Sequence, residues 1–349
     1  MGSFLSKNEF PVDGRTVLIT GGSAGLGLGA ARQLAEKGAN VIIVARDVEK
    51  LQEGITHISQ GARSPEIQRF HYIAADVTTA PECARVVAEA AAWNYGSPPD
   101  IVWCCAGSAY PSLFVDTPTS QFQTMMDSNY FSCVYMAHAA LNAWLKPSPP
   151  FGSGLGAEAG SEDLGKIADR KEKSELRPRH LVLTGSFVSF YSFAGFTPYS
   201  PSKAAVRALA DSLSQEMNLY ASTHHPVRVH AVFPATMPTQ GLELENAVKT
   251  DLTKALEEGD QILPPEECAR RAIAGLERGE ELVPTSTIIR LVMTSVMGGS
   301  ARGGFWRGLV NTVLGWVTLV VMVFVRWEMD TKVARWGREN GPSGMLKKE

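Results

Sequence analysis

A tyrosine and a lysine four residues apart, Tyr199 and Lys203, are the side chains best suited to proton transfer in this sequence. If their segment is helical, the two side chains share one face of the helix. A free tyrosine has a pKa of roughly 10, and a neighbouring ammonium group lowers that pKa because it favours the phenolate. We therefore predict that Tyr199 is a general acid or base and that Lys203 tunes it. Lys203 is also expected to hydrogen-bond the ribose of a nicotinamide cofactor.

A serine, Ser186, precedes this pair by thirteen residues and follows the apolar run HLVLTG. At the end of a strand, its hydroxyl would be placed to hold the carbonyl oxygen of a substrate. A Tyr-x-x-x-Lys pair alone is also common as an ordinary contact on a helix surface. The upstream serine and the glycine-rich turn described next make the catalytic interpretation more specific.

A glycine-rich turn near the N-terminus, TGGSAGLG, predicts a bound phosphate. Gly21, Gly25 and Gly27 follow the run TVLIT and precede the helical pattern LGAARQLAEKG. Glycine allows a tight turn and a close approach of backbone to a pyrophosphate, and the N-terminus of the following helix faces the anion. The spacing Gly-x-x-x-Gly-x-Gly differs from the usual dinucleotide fingerprint, so the turn alone is a moderate signal.

The end of the second predicted strand discriminates between the two nicotinamide cofactors. A carboxylate there binds a ribose 2′-hydroxyl, whereas an arginine binds a 2′-phosphate. The chain has Ala45 at the carboxylate's place, Arg46 next and Lys50 four residues on, so we predict NADPH/NADP⁺ as the cofactor. Asp47, twenty residues after Gly27, leaves NAD(H) as the alternative.

A third strand end carries Asp76, whose carboxylate would reach the exocyclic amine of the adenine. The alternative is a simple cap at the strand end.

Strand and helix patterns alternate from Arg15 to Glu216. The alternation predicts a doubly wound parallel sheet of the Rossmann type, in a single α/β domain that we place at residues 15–285. Short runs rich in β-branched residues are typical of strands buried on both faces. Six such runs are found: TVLIT, VIIVA, FHYIAADV, DIVWCCAG, HLVLTGS and VRVHAVFP. Residues 1–14 are predicted to be an N-terminal extension, and residues 147–179, rich in Gly, Pro, Ser and charge, a flexible insertion.

The C-terminal region predicts contact with a membrane. Gly308 to Val325 contains no charged residue, and its length is near the ~17–25 residues that a membrane helix needs. Tryptophan and arginine flank it on both sides, as at two membrane interfaces. We expect residues 286–327 to associate with membrane lipid and residues 328–349 to form a polar tail. The alternative is a core helix or an apolar dimer contact.

Composition excludes other classes of protein. The formal net charge is −3, and no basic stripe indicates a nucleic-acid partner. The cysteines form no Cys-x-x-Cys pair and no Cys/His cluster, so we expect reduced thiols and no metal site. They are Cys83, Cys104, Cys105, Cys133 and Cys268.

Together these motifs resemble the short-chain dehydrogenase/reductase family, from about Arg15 to Thr239. The resemblance implies a cofactor turn at TGGSAGLG, which adds Ser23 to the cofactor-binding residues, and a catalytic role for Ser186, Tyr199 and Lys203. Two further residues of the family have counterparts in this sequence, and one motif of the family is replaced. The family's proton-relay asparagine matches Asn129 in MMDSNYFS, its Asn-Asn-Ala-Gly motif is replaced by CCAG at Cys104–Gly107, and Thr239 matches the residue that contacts the nicotinamide amide.

A narrower resemblance, carried by GGSAG, ARDVEKL, FVSFYSFAGFTPYSPSKAAVRALADSLSQEM and LPPEECARRAIAGLERG, is to the reductases of the sphingoid ketone 3-ketodihydrosphingosine. That group implies NADPH-dependent reduction of a long-chain sphingoid ketone at the endoplasmic reticulum membrane, with the catalytic domain facing the cytosol and homo-oligomers compatible with the fold. A sterol, a retinoid or a 3-ketoacyl thioester is the alternative substrate. A non-catalytic NADP(H)-binding scaffold is the alternative to an enzyme.

Overall fold

A seven-stranded parallel sheet forms the centre of the molecule. In the computed structural model, which describes residues 8–146, 177–221, 226–300 and 303–347, the strand order is β3-β2-β1-β4-β5-β6-β7. The strands are β1 Thr16–Thr20, β2 Asn40–Ala45, β3 Phe70–Ala74, β4 Ile101–Cys104, β5 Arg179–Thr184, β6 Val227–Phe233 and β7 Leu282–Pro284. The order reverses beside β1, where β4 pairs on the other side, and such a switch point is where ligands bind in open α/β sheets.

Helices connect the strands and cover the sheet. They are α1 Gly25–Glu36, α2 Val48–Ser59, α3 Ala80–Trp93, α4 Thr119–Met125, α5 Ser132–Leu145, α6 Ser200–Glu216, α7 Gln240–Val248, α8 Asp251–Leu256, α9 Pro265–Glu277, α10 Thr287–Ser295 and α11 Phe305–Asn340. A π-helical segment, Met126–Phe131, joins α4 to α5. Helix α1 packs against α2 and α9, and α3 packs against α5.

The predicted doubly wound parallel sheet is confirmed. All five residues of β1 and all four of β4 are buried, as expected where helices cover both faces of a sheet. The six predicted strands are present. The seventh, β7, was not predicted, because its three residues are too few to form a recognisable apolar run.

The region after β6, GLELENAVKTDLTKALEE, mixes apolar and charged residues in a pattern that predicts one amphipathic helix. The structure has two helices, because the chain leaves the helical conformation at Lys249, whose backbone is extended with φ −67° and ψ 131°. Thr250 then starts a new helix, since its hydroxyl accepts a hydrogen bond from the Thr253 amide at 3.2 Å.

Helix α11 is 36 residues long and its N-terminal half is apolar and exposed. Only 11% of its most apolar 18-residue window is buried, whereas a core helix of the same composition would be mostly buried. Its buried residues, Gly315 and Thr318, contact α10: the Thr318 hydroxyl lies 3.1 Å from that of Thr294. The helix is therefore a candidate membrane-associating element, as the sequence predicted, anchored to the domain by one narrow face.

Parts of two predicted segments lie outside the described residues. The structure does not describe residues 1–7 or residues 147–176. The predicted insertion at 147–179 is therefore described only at its C-terminal edge, where Arg179 begins β5. Of the predicted N-terminal extension, residues 8–14 pack onto the domain, with Phe10 buried in the core. Its ring contacts that of His180 edge to face, with the centroids 4.7 Å apart.

Two buried histidines on adjacent strands share a chain of hydrogen bonds. His230 Nδ1 lies 2.8 Å from the Glu280 carbonyl oxygen, so it carries the proton and donates it. Its Nε2 then accepts from His180 Nδ1 at 3.0 Å. The remaining atom, His180 Nε2, has no partner in the described part of the chain. Both imidazoles are thus neutral. Burial is the main cause of the low pKa values of both groups. The pKa of His180 lies well below its usual range, and that of His230 is lowered to about 4.

This pair predicts acid-sensitive folding. Because the folded pKa values lie below the unfolded value of about 6.5, the unfolded chain binds more protons below pH 6.5, and stability falls as the pH drops towards 4. At about 1.4 kcal/mol for each pKa unit, protonation of His230 alone costs roughly 3 kcal/mol. Chemical denaturation in detergent at pH 7 and pH 4 measures this loss, which His180→Phe should reduce. Equal losses in wild type, His180→Phe and the exposed control His57→Gln would contradict the assignment.

Candidate active site

The glycine-rich turn combines positive φ angles with close backbone contacts. Gly21 and Gly25 have positive φ angles of 65° and 52°. A Cβ on Gly21 would lie 2.8 Å from the Ala106 backbone nitrogen, and one on Gly27 would collide with the Gly21 carbonyl oxygen. Gly21 is therefore required by both conformation and space, Gly25 by conformation and Gly27 by space. The close approach of Gly21 to Ala106 brings the ends of β1 and β4 together.

The start of α1 fits the phosphates of a dinucleotide. Its N-cap residue is Ala24, which provides no side-chain acceptor, so the first amides of the helix lack a capping side chain within the described structure. Unsatisfied amides and the helix dipole favour an anion at this position. Ser23 is half-buried in the same turn. These residues, together with Gly25, would hold the pyrophosphate of a nicotinamide dinucleotide.

At the end of β2, Arg46 is exposed and makes no hydrogen bond or ion pair with any described residue. The neighbouring carboxylate, Asp47, caps α2, because its Oδ1 accepts from the Lys50 amide at 3.1 Å. The Lys50 ammonium donates to Gln240 Oε1 at 2.8 Å, across the space between α2 and α7. Of the three residues considered for contact with the ribose, Arg46 is thus the one whose side chain has no partner among the described residues.

Two other predicted cofactor residues have local partners. The Asp76 carboxylate accepts from the Thr78 hydroxyl at 2.8 Å and from the Thr78 amide at 3.1 Å, in the manner of a turn cap. Thr239 is the N-cap of α7, and its Oγ1 accepts from the Leu242 amide at 3.3 Å. The Thr239 methyl group lies 3.5 Å from the place of a Cβ on Gly25, so Thr239 faces the glycine turn.

The side chains of Ser186 and Tyr199 interact. Ser186 begins a short 3₁₀ turn after β5, and Tyr199 is the residue before α6. Burial raises the pKa of Tyr199 above its ordinary value, and the hydrogen bond with the Ser186 hydroxyl opposes this increase. The expected lowering of this pKa by Lys203 is wrong for this structure. The ammonium is 5.9 Å from the centre of the tyrosine ring and is directed elsewhere.

Lys203 is buried, with 5% of its surface exposed, and donates to the Thr184 carbonyl oxygen at 3.0 Å. Burial lowers its pKa. Its ammonium also lies 3.3 Å from the place of a Cβ on Gly107, at the end of β4. Lys203 is therefore fixed at the carboxyl ends of β4 and β5, beside the glycine turn, where it would reach a nicotinamide ribose.

Asn129 is fully buried in the π-helical segment. Its amide nitrogen donates to the carbonyl oxygens of Ser108 at 2.9 Å and Met125 at 3.0 Å, and its Oδ1 accepts from the Ser108 amide at 3.1 Å. A Cβ on Gly107 would lie 2.5 Å from that Oδ1. Asn129 thus joins the loop after β4 to the helix layer, close to Lys203. Short π-helical segments within α-helices are frequent at functional sites.

Several contributors to the site were missed by the sequence analysis. Thr184 supplies the carbonyl oxygen for Lys203, and its hydroxyl accepts from Trp103 Nε1 at 3.2 Å. Lys249 is buried, forms ion pairs with Glu245 and Glu257, and lies 5.6 Å above the ring of Phe196. Phe196 in turn contacts the Tyr199 ring. A threonine that ends a strand and a single lysine between two short charged helices carry no pattern that would have identified them.

In the CCAG segment that replaces the family's asparagines, Cys104 belongs to the core and Cys105 and Ala106 pack against it. Cys104 is buried, and a Cβ on Gly21 would lie 2.9 Å from the Cys105 carbonyl carbon. The Ala106 amide donates to the Thr20 hydroxyl at 3.2 Å. Burial raises the pKa of Cys105 to about 12. The five cysteines, all within the described residues, are free thiols.

Comparisons with known proteins agree with this geometry. The family described as short chain dehydrogenase matches residues 15–150 and 178–249. A protein of Aspergillus fumigatus named 3-ketodihydrosphingosine reductase is 41% identical over 97% of this chain and 89% of its own length. One of the same name from Neurospora crassa is 42% identical over 98% of this chain and 87% of its own length.

The fold is also found among solved structures. A short chain dehydrogenase/reductase from Burkholderia phymatum, solved in complex with NAD, superposes with a TM-score of 0.62 at 16% identity, covering 81% of this chain and 94% of that one. At this identity the likeness concerns the fold alone. Because the family match covers more than half of the chain and both fungal relatives cover almost all of it, this protein belongs to the short-chain dehydrogenase/reductase family of oxidoreductases.

Proposed function

We propose that this protein reduces 3-ketodihydrosphingosine to dihydrosphingosine with NADPH. The observation that carries the proposal is 41–42% identity, over nearly the whole chain, to two fungal proteins that bear the name of this reductase. The arrangement of Ser186, Tyr199, Lys203 and Asn129 beside the glycine turn supports a carbonyl reduction. When bound, the cofactor would supply a hydride to the ketone carbon.

The chain's own residues would supply the proton and the orientation. The raised pKa keeps the Tyr199 hydroxyl protonated near neutral pH, as a general acid must be. Donation of that proton to the ketone oxygen turns the carbonyl into a hydroxyl, and the Ser186 hydroxyl would orient the oxygen. Lys203 and Asn129, both buried and adjacent to Gly107, would return a proton to Tyr199 through the ribose and water.

NADPH rather than NADH is proposed because of the charges that end β2. Arg46 is the exposed cation without a protein partner among the described residues, and the carboxylate of Asp47 is used to cap α2. A guanidinium group binds phosphate oxygens through charge-assisted hydrogen bonds. The 2′-phosphate of NADP(H) would provide this partner.

Helix α11 is proposed to attach the enzyme to the endoplasmic reticulum membrane, with the catalytic domain on the cytosolic side. The exposed apolar residues of this helix and of α10 support contact with lipid. A ketone with a long alkyl chain partitions into a bilayer, so attachment places the enzyme where its substrate is concentrated.

Charges placed on the apolar half of α11 should release the protein from membranes. Val317 and Val321 are exposed, so Val317→Lys and Val321→Lys leave the packing against α10 intact. Each lysine opposes insertion by roughly 2.5–3.5 kcal/mol at a helix centre. We expect flotation with liposomes to fall more than tenfold for the double variant. The control Thr331→Lys with Asn340→Lys adds the same charge to the polar half, and an equal loss there would argue against lipid contact by the apolar half.

Turnover by detergent-solubilised protein tests the proposed function. Purified protein would be given NADPH and 3-ketodihydrosphingosine, with a sterol ketone, retinal and a 3-ketoacyl thioester as competing substrates. The proposal expects consumption of NADPH with the sphingoid ketone and at least tenfold lower kcat/KM with the others. Reduction of one of the others in its place would preserve the reductase mechanism and contradict the substrate.

A further inference from the structure

A cavity of about 530 Å³ lies between the segment before the catalytic tyrosine and the C-terminal half of α11. Its walls come from residues 191–201, from Leu256 of α8 and from the first polar turns of α11. The wall contributed by α11 begins at Arg326, directly after the apolar run. The cavity therefore opens where the lipid-facing half of the helix ends. The lining residues used below are Tyr191, Phe193, Ser200, Arg326, Met329 and Asp330.

Two hydroxyl groups in this lining have no hydrogen-bond partner among the described residues. They are those of Tyr191 and Ser200, and both oxygen atoms are buried. Ser200 as a residue is only 3% exposed. A buried hydroxyl without a partner is destabilising unless another molecule satisfies it. The two hydroxyls thus indicate a polar ligand in an otherwise largely apolar cavity.

Aromatic rings connect the cavity with the catalytic tyrosine. Tyr191 contacts Phe193 with ring centroids 6.2 Å apart, Phe193 contacts Phe196 at 5.0 Å, and Phe196 contacts Tyr199 at 6.1 Å. Ser200 is the residue that follows Tyr199. A continuous row of packed aromatic rings thus links the wall of the cavity to the site of reduction.

The charged groups of the cavity are a pair on one helix face. Arg326 Nε lies 3.0 Å from the Asp330 carboxylate, and both side chains are more than half exposed. On the same helix, Glu328 and Lys332 form an equivalent ion pair at 2.9 Å that does not line the cavity. Asp330 is the acidic side chain of the lining and would attract an amine.

We propose that this cavity is an entry site for the polar head of a long-chain amino alcohol, in which Asp330 binds the amine and the Tyr191 and Ser200 hydroxyls bind the hydroxyl. The inference rests on the proposed function, since 3-ketodihydrosphingosine carries an amine and a hydroxyl at one end of a long chain. The substrate would leave the bilayer along α11, bind here by its head and then pass to Tyr199. The site thus selects for an amino group before reduction.

Asp330→Asn tests the proposal with two substrates, 3-ketodihydrosphingosine and the same ketone without its amine. We expect a five- to twentyfold lower kcat/KM for the amino ketone, an unchanged kcat, and no change for the analogue. Arg326→Gln removes the competing cation and should raise kcat/KM for the amino ketone. Glu328→Gln is the matched control, because it removes one carboxylate from the equivalent ion pair outside the cavity, and it should change neither substrate.

An equal loss for both substrates in Asp330→Asn, or a loss in Glu328→Gln as large as in Asp330→Asn, would overturn the entry site while leaving the proposed function standing. Absence of turnover in the wild type would instead contradict the proposed function. Equilibrium binding of dihydrosphingosine in detergent micelles tests the cavity in that case as well. Asp330→Asn should weaken this binding at least fivefold and Glu328→Gln should not, and equal affinity in the three proteins would overturn the proposal.

Discussion

Replacing Tyr199 with phenylalanine should reduce turnover of the sphingoid ketone by about 10²–10⁴-fold, the contribution expected of a positioned general acid. The change removes the hydroxyl that the structure places against Ser186 and preserves the ring that packs on Phe196. The affinity for NADPH, measured by quenching of protein fluorescence, should change less than threefold. Stopped-flow or steady-state oxidation of NADPH measures the loss.

The control for this prediction is Tyr72→Phe, which removes a hydroxyl on β3 that accepts a hydrogen bond from Gln52. It should retain wild-type turnover. If Tyr199→Phe kept more than a tenth of the wild-type rate, another group would have to be the acid. If it lost NADPH affinity in parallel with turnover, the effect would be structural.

Replacing Arg46 with glutamate should lower the affinity for NADPH by about 10²-fold or more and leave that for NADH nearly unchanged or improved. A charge-assisted hydrogen bond contributes about 1.5–3 kcal/mol, and a carboxylate at the same place adds repulsion towards the 2′-phosphate. Titration of each cofactor against protein fluorescence measures both affinities without requiring turnover.

Two further variants make this prediction specific. Arg63→Glu changes the net charge equally at an exposed arginine that pairs with Asp13, and it should leave the preference for NADPH intact. Asp47→Ala tests the NAD(H) alternative. A large loss of NADH affinity in Asp47→Ala, with no effect of Arg46→Glu on NADPH, would show that the carboxylate reads the ribose.

The parts of the fold that follow from short-range patterns could be predicted. Continuous β-branched runs identified the six longer strands, since a strand covered on both faces has no polar side. The three residues of β7 were missed, because its place is decided by pairing with β6 through Ala231 to Phe233 rather than by its own sequence. The break at Lys249 between α7 and α8 was missed for a similar reason. Its ammonium is buried between Glu245 and Glu257, a tertiary contact that no helical period reports.

The candidate site was predictable where chemistry depends on residue type and spacing. The glycine turn, Ser186, Tyr199 and Lys203 meet at the carboxyl ends of neighbouring strands, as the pattern requires. The electrostatics of the site were not predictable, since they depend on burial. The Lys203 ammonium is held by the Thr184 carbonyl and does not lower the pKa of Tyr199. The cavity beside α11 also depends on how the C-terminal helix folds back, which local sequence does not encode.

The central claim is that this chain transfers hydride from NADPH to the ketone carbon of a sphingoid base while Tyr199 supplies the proton. The most direct test incubates the detergent-solubilised protein with 3-ketodihydrosphingosine and NADPH deuterated at nicotinamide C4 on the transferred face, and analyses the product by mass spectrometry. We expect dihydrosphingosine that carries one deuterium at C3, formed by wild type and at least a hundredfold more slowly by Tyr199→Phe. Product without deuterium at C3, or equal formation by the two proteins, would contradict the account.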